Sequence, residues 1–174
     1  MNKKLRLLVT SKCPNKCPMC CNNSWDFSKL PVVDRWDYEE IMITGGEPLQ
    51  YVKKVIALIR NIRSISEFQG TSPKIYIYTS VASFGALVNA IKVSDGVVLT
   101  PHSEKEVEHF IRVNNHLLQY PPENCSLRLN LFSDIKSMLP KDIDLSLWKV
   151  KDMEWVKDCP VPEGEDFRRI ANLL

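Results

Sequence analysis

Apolar stretches with strand character alternate along the chain with stretches whose apolar residues follow helical spacing. Six stretches are predicted as strands: Leu5 to Thr10, Ile41 to Thr44, Ile75 to Thr79, Val97 to Thr100, Leu127 to Phe132 and Leu145 to Val150. The stretches after Leu49, Phe84 and Ser103 carry apolar residues three or four positions apart, which predicts amphipathic helices. Strands that alternate with helices form βαβ units, so the sequence predicts an α/β fold with a parallel sheet.

The chain length predicts one domain, residues 1–174, with little room beyond six strands. Right-handed crossovers place the helices on one side of the sheet, and a sheet that curls in this way makes an open barrel. Residues Asn22 to Tyr38 are predicted as loop with at most a short helix. We expect a short C-terminal tail from about residue 151, with a helical turn at Asp166 to Asn172.

Composition and charge exclude several classes of protein. The formal net charge of +2 is too small to predict binding to nucleic acid or to a membrane surface. No apolar run approaches the length of a membrane span. The apolar run after Lys4 is short and is interrupted by Arg6, unlike the core of a signal peptide, so we expect a cytoplasmic protein.

Three cysteines, Cys13, Cys17 and Cys20, follow the first predicted strand with the spacing C-x3-C-x2-C. In a reducing cytosol such a cluster indicates metal binding rather than disulfides. A structural zinc site needs four protein ligands. Cys21 must point away from a site that Cys20 serves, and the other two cysteines, Cys125 and Cys159, are far along the chain. An iron–sulfur cube held by three thiolates would keep one iron open for a substrate or cofactor.

Glycines and polar residues follow the other predicted strands. Gly45-Gly46-Glu47-Pro48 comes after the second strand, Thr79 and Ser80 end the third, and Thr100, His102 and Ser103 follow the fourth. The carboxyl ends of parallel strands meet at one edge of a sheet, where ligands bind. The sequence therefore predicts that these residues lie beside the three cysteines. Ser103-Glu104-Lys105-Glu106 also has the pattern of a capping box at a helix N-terminus.

In this order, the cysteine spacing and the Gly-Gly-Glu-Pro segment resemble the radical S-adenosylmethionine (SAM) superfamily. The resemblance covers the whole chain and implies a (β/α)6 partial barrel. It implies that Cys13, Cys17 and Cys20 ligate three irons of a [4Fe–4S] cluster, whose fourth iron is chelated by SAM. Reductive cleavage of SAM would then give methionine and a 5′-deoxyadenosyl radical, which abstracts hydrogen from a substrate.

The resemblance also implies which residues contact SAM. Gly45, Gly46, Glu47 and Pro48 match the family segment at the SAM amino group, where glycines let the backbone approach. Met19 stands where the family usually has an aromatic near adenine, and methionine can fill that space. Positions at the ends of the later strands correspond to contacts with ribose, carboxylate or phosphate: Thr79, Ser80, Thr100, His102, Ser103, Arg128 and Asn130. Arg128 and Asn130 are expected to face the lumen, since Leu127, Leu129 and Leu131 would face the helices.

The substrate is left open by the sequence. The stretch after Cys20 is partly similar to activating enzymes of glycyl-radical enzymes, which act on a large protein partner. Modification of a peptide or small metabolite, as in 7-carboxy-7-deazaguanine synthases, is the alternative within the family. A non-catalytic iron–sulfur or zinc-binding accessory protein is the alternative outside it. The resemblance further implies a reductant such as flavodoxin or ferredoxin.

Overall fold

The computed structural model describes residues 4–23, 25–80, 83–156 and 160–174. Its strands are β1 (Lys4–Thr10), β2 (Glu40–Gly45), β3 (Lys74–Thr79), β4 (Gly96–Leu99), β5 (Ser126–Phe132), β6 (Lys149–Met153) and β7 (Glu165–Arg169). Its α-helices are α1 (Val52–Phe68), α2 (Phe84–Val93), α3 (Glu104–Gln119) and the short α4 (Ser133–Ser137). Within the described residues the strands form one open sheet of order β6-β5-β4-β3-β2-β1-β7, and every pairing is parallel.

One face of this sheet packs against the helices. In β3 the residues Ile75 and Ile77 are buried in the same core as α1, α2 and α3, whereas Tyr76 and Tyr78 on the other face are half-buried. This alternation follows from the period of two in a strand, which sends successive side chains to opposite faces. The predicted α/β fold with a parallel sheet is confirmed, with seven strands rather than six.

The prediction of a sixth strand at Leu145 to Val150 is wrong in position, because β6 begins at Lys149. The Trp148 amide donates to the Leu145 carbonyl at 2.8 Å, so the preceding residues turn instead of extending. The Trp148 indole is buried, donates to Asn114 Oδ1 at 2.9 Å and meets the Phe110 ring edge-on at 5.2 Å. Because this indole packs against α3, the strand begins after Trp148, at Lys149.

The prediction of a helical turn at Asp166 to Asn172 is also wrong, because residues Glu165–Arg169 form β7. β7 pairs with β1 in parallel, and Glu165 accepts from Arg6 Nε at 2.8 Å across this pairing. Without β7, the buried strand β1 would present its backbone donors and acceptors at an open edge. Hydrogen bonding to the free edge of β1 therefore favours an extended conformation for these residues over the short helix that their sequence predicts.

Two short 3₁₀ turns, Cys21–Asn23 and Phe27–Lys29, lie in the described part of residues 21–38, as expected for a loop with at most a short helix. Among the described residues, no helix combines the length and the apolar character that crossing a lipid bilayer requires.

We predict that Asp166→Ala lowers the free energy of unfolding by about 2 kcal/mol, since Asp166 links β7 to the loop before β2. Its Oδ2 accepts from the hydroxyl of the buried Tyr38 at 2.6 Å and from Arg168 Nε at 2.8 Å. Urea denaturation measures the change, with the exposed Asp142→Ala as control. An equal midpoint for both variants would show that these hydrogen bonds do not hold β7 in place.

Candidate functional site

The cysteine loop, residues 11–20, starts where β1 ends and lies against the C-terminal end of β2. The Gly46 amide donates to the Thr10 carbonyl at 2.7 Å, and the Glu47 amide donates to the Lys12 carbonyl at 2.8 Å. A Cβ atom on Gly46 would lie 2.1 Å from the Lys12 carbonyl oxygen, so only glycine permits this approach. The two glycines therefore set the path of the chain into the cysteine loop.

The three thiols lie around one cavity. Cys13, Cys17 and Cys20 are free and half-buried. A cavity of about 430 Å³ is lined by Ser11, Cys13, Asn15, Lys16, Cys17, Cys20, Asn22 and Asn23. Backbone hydrogen bonds from Cys20 to Cys17 at 3.2 Å and from Asn23 to Cys20 at 3.0 Å fold the second half of the loop around it.

Burial and neighbouring negative groups affect two of these thiols. Burial raises the pKa of Cys13, and the Glu47 carboxylate and the other two cysteines add to this rise. Burial is also the main cause that raises the pKa of Cys17, and the charges of Cys20 and Glu106 raise it further. A cation in the cavity would reverse this preference, because thiolates are the form that ligates metal. Within the described residues, no group of three His, Cys, Asp or Glu side chains is arranged to hold a single metal ion.

Cys125, whose side chain the structure describes, takes no part in this cavity. Cys125 immediately precedes β5, and its Sγ lies 3.9 Å from Ser94 Oγ. Burial raises its pKa to about 11, so it is an unreactive thiol at neutral pH. The side chain of Cys21 and the whole of Cys159 lie outside the described residues.

A larger, mainly apolar cavity of about 500 Å³ adjoins the cysteine loop. Cys17 and Cys20 line both cavities, and Met19 stands at the rim with 42% of its surface exposed. Gly45 and His102 also line the larger cavity. The remaining lining residues come from the sheet, the loop after Cys20 and the chain after β5: Arg6, Leu8, Asn22, Trp25, Phe27, Thr44, Phe132, Met153, Glu154, Trp155, Val156, Pro160, Val161, Pro162 and Phe167.

Aromatic rings form one wall of the larger cavity. Phe132 and Trp155 stack with centroids 4.2 Å apart and planes inclined by 12°. The His102 ring lies 5.7 Å from Trp155 and 5.6 Å from Phe132. His102 Nδ1 is buried without a hydrogen-bond partner among the described residues. Burial lowers the pKa of His102, although Glu106 and Asp134 oppose this, so the ring is neutral at pH 7.

We predict that His102 makes the protein less stable in mild acid. Since burial lowers its pKa in the folded state, the unfolded chain binds a proton near pH 6.5 that the folded protein does not yet accept. Stability is therefore lost as the pH falls below about 6.5. Urea midpoints from pH 8 to pH 5 should fall less steeply in His102→Phe, which keeps a ring beside Trp155. The curves of both proteins should be parallel above pH 7.5, and parallel curves below pH 6.5 would contradict the prediction.

Glu47 lies behind the cysteine loop as a fully buried carboxylate, with 0% of its surface exposed. Its Oε1 accepts from the Leu49 amide at 2.9 Å and from Thr79 Oγ1 at 2.5 Å. Its Oε2 accepts from the Ser80 amide at 2.8 Å and from Ser80 Oγ at 2.9 Å. Glu47, Thr79 and Ser80, all predicted as SAM contacts, are thus brought together, but their side chains bind one another.

Asn15 and Glu106 extend this polar network to α3. Asn15 Nδ2 donates to Ser80 Oγ at 3.0 Å and to Glu106 Oε1 at 2.8 Å. Glu106 Oε2 accepts from the His102 amide at 2.6 Å. The capping-box prediction is confirmed for Ser103, which accepts from the Glu106 amide at 3.4 Å. The Glu106 carboxylate, however, accepts from the backbone amide of His102, one residue before the N-cap, rather than from that of Ser103.

The remaining predicted contacts lie outside both cavities. Asn130 Nδ2 donates to Thr100 Oγ1 at 3.2 Å. The exposed Arg128 stacks over Tyr76 with its guanidinium carbon 5.1 Å from the ring centroid. Both residues are on the sheet face away from the helices, as expected, since Leu127, Leu129 and Leu131 are in the helix-covered core. Pro48 is buried as the first residue of a 3₁₀ turn, Pro48–Tyr51.

Sequence reasoning missed Asn15, Glu106 and most of the aromatic wall. Asn15 lies inside the cysteine motif, but nothing in its neighbours predicts that its side-chain amide bonds to Ser80 and Glu106. Glu106 matches a capping box, which already explains a carboxylate at that position. Trp155 follows β6 in a tail without periodicity, so no local pattern could place it beside Phe132.

The donor set fits an iron–sulfur cluster held by three thiolates: three free thiols surround one cavity at the carboxyl edge of the sheet. The adjoining cavity is of the size that binds drug-sized molecules. In comparisons with protein-family models and with curated proteins, no match to this chain was found.

Proposed function

We propose that this protein is a radical SAM enzyme. The observation that carries the proposal is the pair of adjoining cavities, one surrounded by Cys13, Cys17 and Cys20 and one mainly apolar, which share Cys17 and Cys20. A three-thiolate cluster with one open iron needs this arrangement, because its cofactor must reach the open position from a neighbouring pocket. The open parallel sheet would correspond to the (β/α)6 partial barrel, with β7 as an added strand.

In this proposal the three thiolates hold the [4Fe–4S] cluster and the larger cavity holds SAM. When bound, the cluster would supply one electron for the cleavage of SAM to methionine and a 5′-deoxyadenosyl radical. Met19 and Gly45 line the cavity beside the thiols and would bound the space for SAM. The ring wall of His102, Phe132 and Trp155 would exclude water from that space.

Anaerobic reconstitution with iron and sulfide, followed by dithionite and SAM, tests the proposal. We expect four irons per chain and formation of 5′-deoxyadenosine. Cys17→Ala should abolish 5′-deoxyadenosine formation, because one thiolate would be missing from the cluster. Cys125→Ala is the matched control and should leave product formation unchanged, since Cys125 precedes β5 and lines neither cavity.

The same experiment separates the alternatives. A protein that binds iron and sulfide but never cleaves SAM, with dithionite or with reduced flavodoxin or ferredoxin, would be an iron–sulfur accessory protein. A protein that binds zinc and no cluster would be a zinc-binding accessory protein. Either result contradicts the proposal.

The substrate class requires a separate measurement. Deuterium-labelled lysate can be separated into protein and small-molecule fractions and offered to the reconstituted enzyme with SAM and dithionite. Deuterium in 5′-deoxyadenosine from the protein fraction alone would support a protein substrate, as for activating enzymes of glycyl-radical enzymes. Deuterium from the small-molecule fraction alone would support a metabolite and exclude that protein-directed reaction.

A further inference from the structure

We propose that Asn15 and Glu106 are positioning residues, which fix the cysteine loop on the sheet and hold a buried negative charge beside it. The part of the inference that concerns the loop stands on the hydrogen bonds alone. The part that concerns the charge rests on the proposed function, because it needs a bound cluster.

Asn15 lies between Cys13 and Cys17, so its position constrains the backbone of both. Its Nδ2 group donates to Ser80 Oγ at 3.0 Å and to Glu106 Oε1 at 2.8 Å. The two acceptors belong to different elements: Ser80 follows β3, and Glu106 is in the first turn of α3. The side chain of Asn15 therefore ties the first half of the cysteine loop to two independent elements.

Glu106 is held from its other side as well. Only 6% of its surface is exposed, and its Oε2 accepts from the His102 amide at 2.6 Å. Glu106 lies in the first turn of α3, where the helix dipole and free backbone amides interact favourably with acidic side chains. A carboxylate fixed by donors on both oxygens is a rigid anchor for the Asn15 amide.

The charge of Glu106 acts on the cysteine loop. Glu106 Oε1 lies 2.8 Å from Nδ2 of Asn15, which is two residues from both Cys13 and Cys17, so the carboxylate lies directly against the loop that carries the thiols. A cluster with three thiolates gains negative charge on reduction, and net charge is one of the factors that set cluster potentials. A buried carboxylate beside the cysteine loop would therefore lower the reduction potential of the cluster, making the reduced form a stronger electron donor.

The first test uses the metal-free protein and needs no cluster. The rates at which iodoacetamide alkylates Cys13 and Cys17 at fixed pH are followed by peptide mass spectrometry. Asn15→Ala removes two hydrogen bonds, so we expect alkylation of both thiols to be about tenfold faster. Asn89→Ala is the control, because the exposed Asn89 donates to the Gly85 carbonyl within α2, away from the cysteine loop. The wild-type rate in Asn15→Ala would overturn the anchor.

A rescue experiment distinguishes this contact from a general loss of packing. Asn15→Asp alone places a second carboxylate against Glu106 and should accelerate alkylation as Asn15→Ala does. Combining Asn15→Asp with Glu106→Gln exchanges donor and acceptor across the contact, while the amide oxygen of the introduced glutamine can still accept from His102. We expect the double variant to approach the wild-type rate, and a double variant as fast as Asn15→Asp would contradict a direct pairing.

The second test measures the reduction potential of the reconstituted cluster by electron paramagnetic resonance during a redox titration. Glu106→Gln keeps the side-chain shape and removes the charge, so the potential should become less negative. Glu108→Gln on the exposed side of α3 is the matched control and should keep the wild-type potential. An unchanged potential in Glu106→Gln would overturn the charge effect. If the wild-type protein binds no cluster, the proposed function and the charge effect both fail, while the alkylation rates still decide the anchor.

Discussion

Replacing Gly46 with alanine is expected to destabilise the protein by about 3 kcal/mol or more. The added Cβ would lie 2.1 Å from the Lys12 carbonyl oxygen and 2.5 Å from its carbon, both backbone atoms that cannot rotate away. Gly45→Ala should be comparably severe, since its Cβ would meet the Thr10 carbonyl oxygen at 2.1 Å with φ at +138°. In Gly46→Ala the start of the cysteine loop must move away from β2, and in Gly45→Ala the end of β1 must do so.

Urea denaturation of a glycine series checks this prediction. Gly85→Ala is the matched control, because outside its own turn of α2 no atom lies within 4 Å of the added Cβ, and it should stabilise by about 0.5 kcal/mol. Gly70→Ala also has open space, but its φ of +69° costs about 1 kcal/mol. Equal stabilities for the Gly46 and Gly85 variants would show that the two chain segments do not lie this close.

Replacing Glu47 with glutamine is expected to cost about 2–3 kcal/mol of unfolding free energy. The Glu47 carboxylate only accepts, and among the described residues each of its oxygens has at least two donors. A glutamine must turn its NH₂ group toward one of these pairs, which places a donor against the amide of either Leu49 or Ser80. Hydroxyl groups can rotate, but a backbone amide cannot, so one buried donor loses its acceptor.

Thermal and urea unfolding of Glu47→Gln measure this cost, and the exposed Glu123→Gln serves as the control for a surface carboxylate. We also expect faster alkylation of Cys13 in the metal-free variant, because Ser80, an acceptor for Asn15, would shift with the disturbed network. A variant as stable as the wild type would mean that a bound water or a rearranged loop replaces the carboxylate.

The Gly-Gly-Glu-Pro segment separates what a motif predicts from what packing requires. From the sequence, its glycines are interpreted as room for the SAM amino group, and its glutamate as a candidate acceptor. In the structure, the nearest neighbours of the glycines are the Thr10 and Lys12 backbones, and Glu47 binds Thr79 and Ser80. The glycines do allow a close backbone approach and the glutamate does accept hydrogen bonds, but in the structure the partners are residues of the same chain.

The sequence alone determined the α/β class, the parallel sheet and the meeting of the cysteines at one sheet edge. These features depend on local periodicity and on the geometry of parallel strands, which a short stretch of residues encodes. The exact span of β6, the existence of β7 and the Asn15–Glu106 contact were decided only by the tertiary structure. Each depends on partners far apart in the chain, such as Trp148 with Asn114 or Arg6 with Glu165, and no local pattern encodes such pairs.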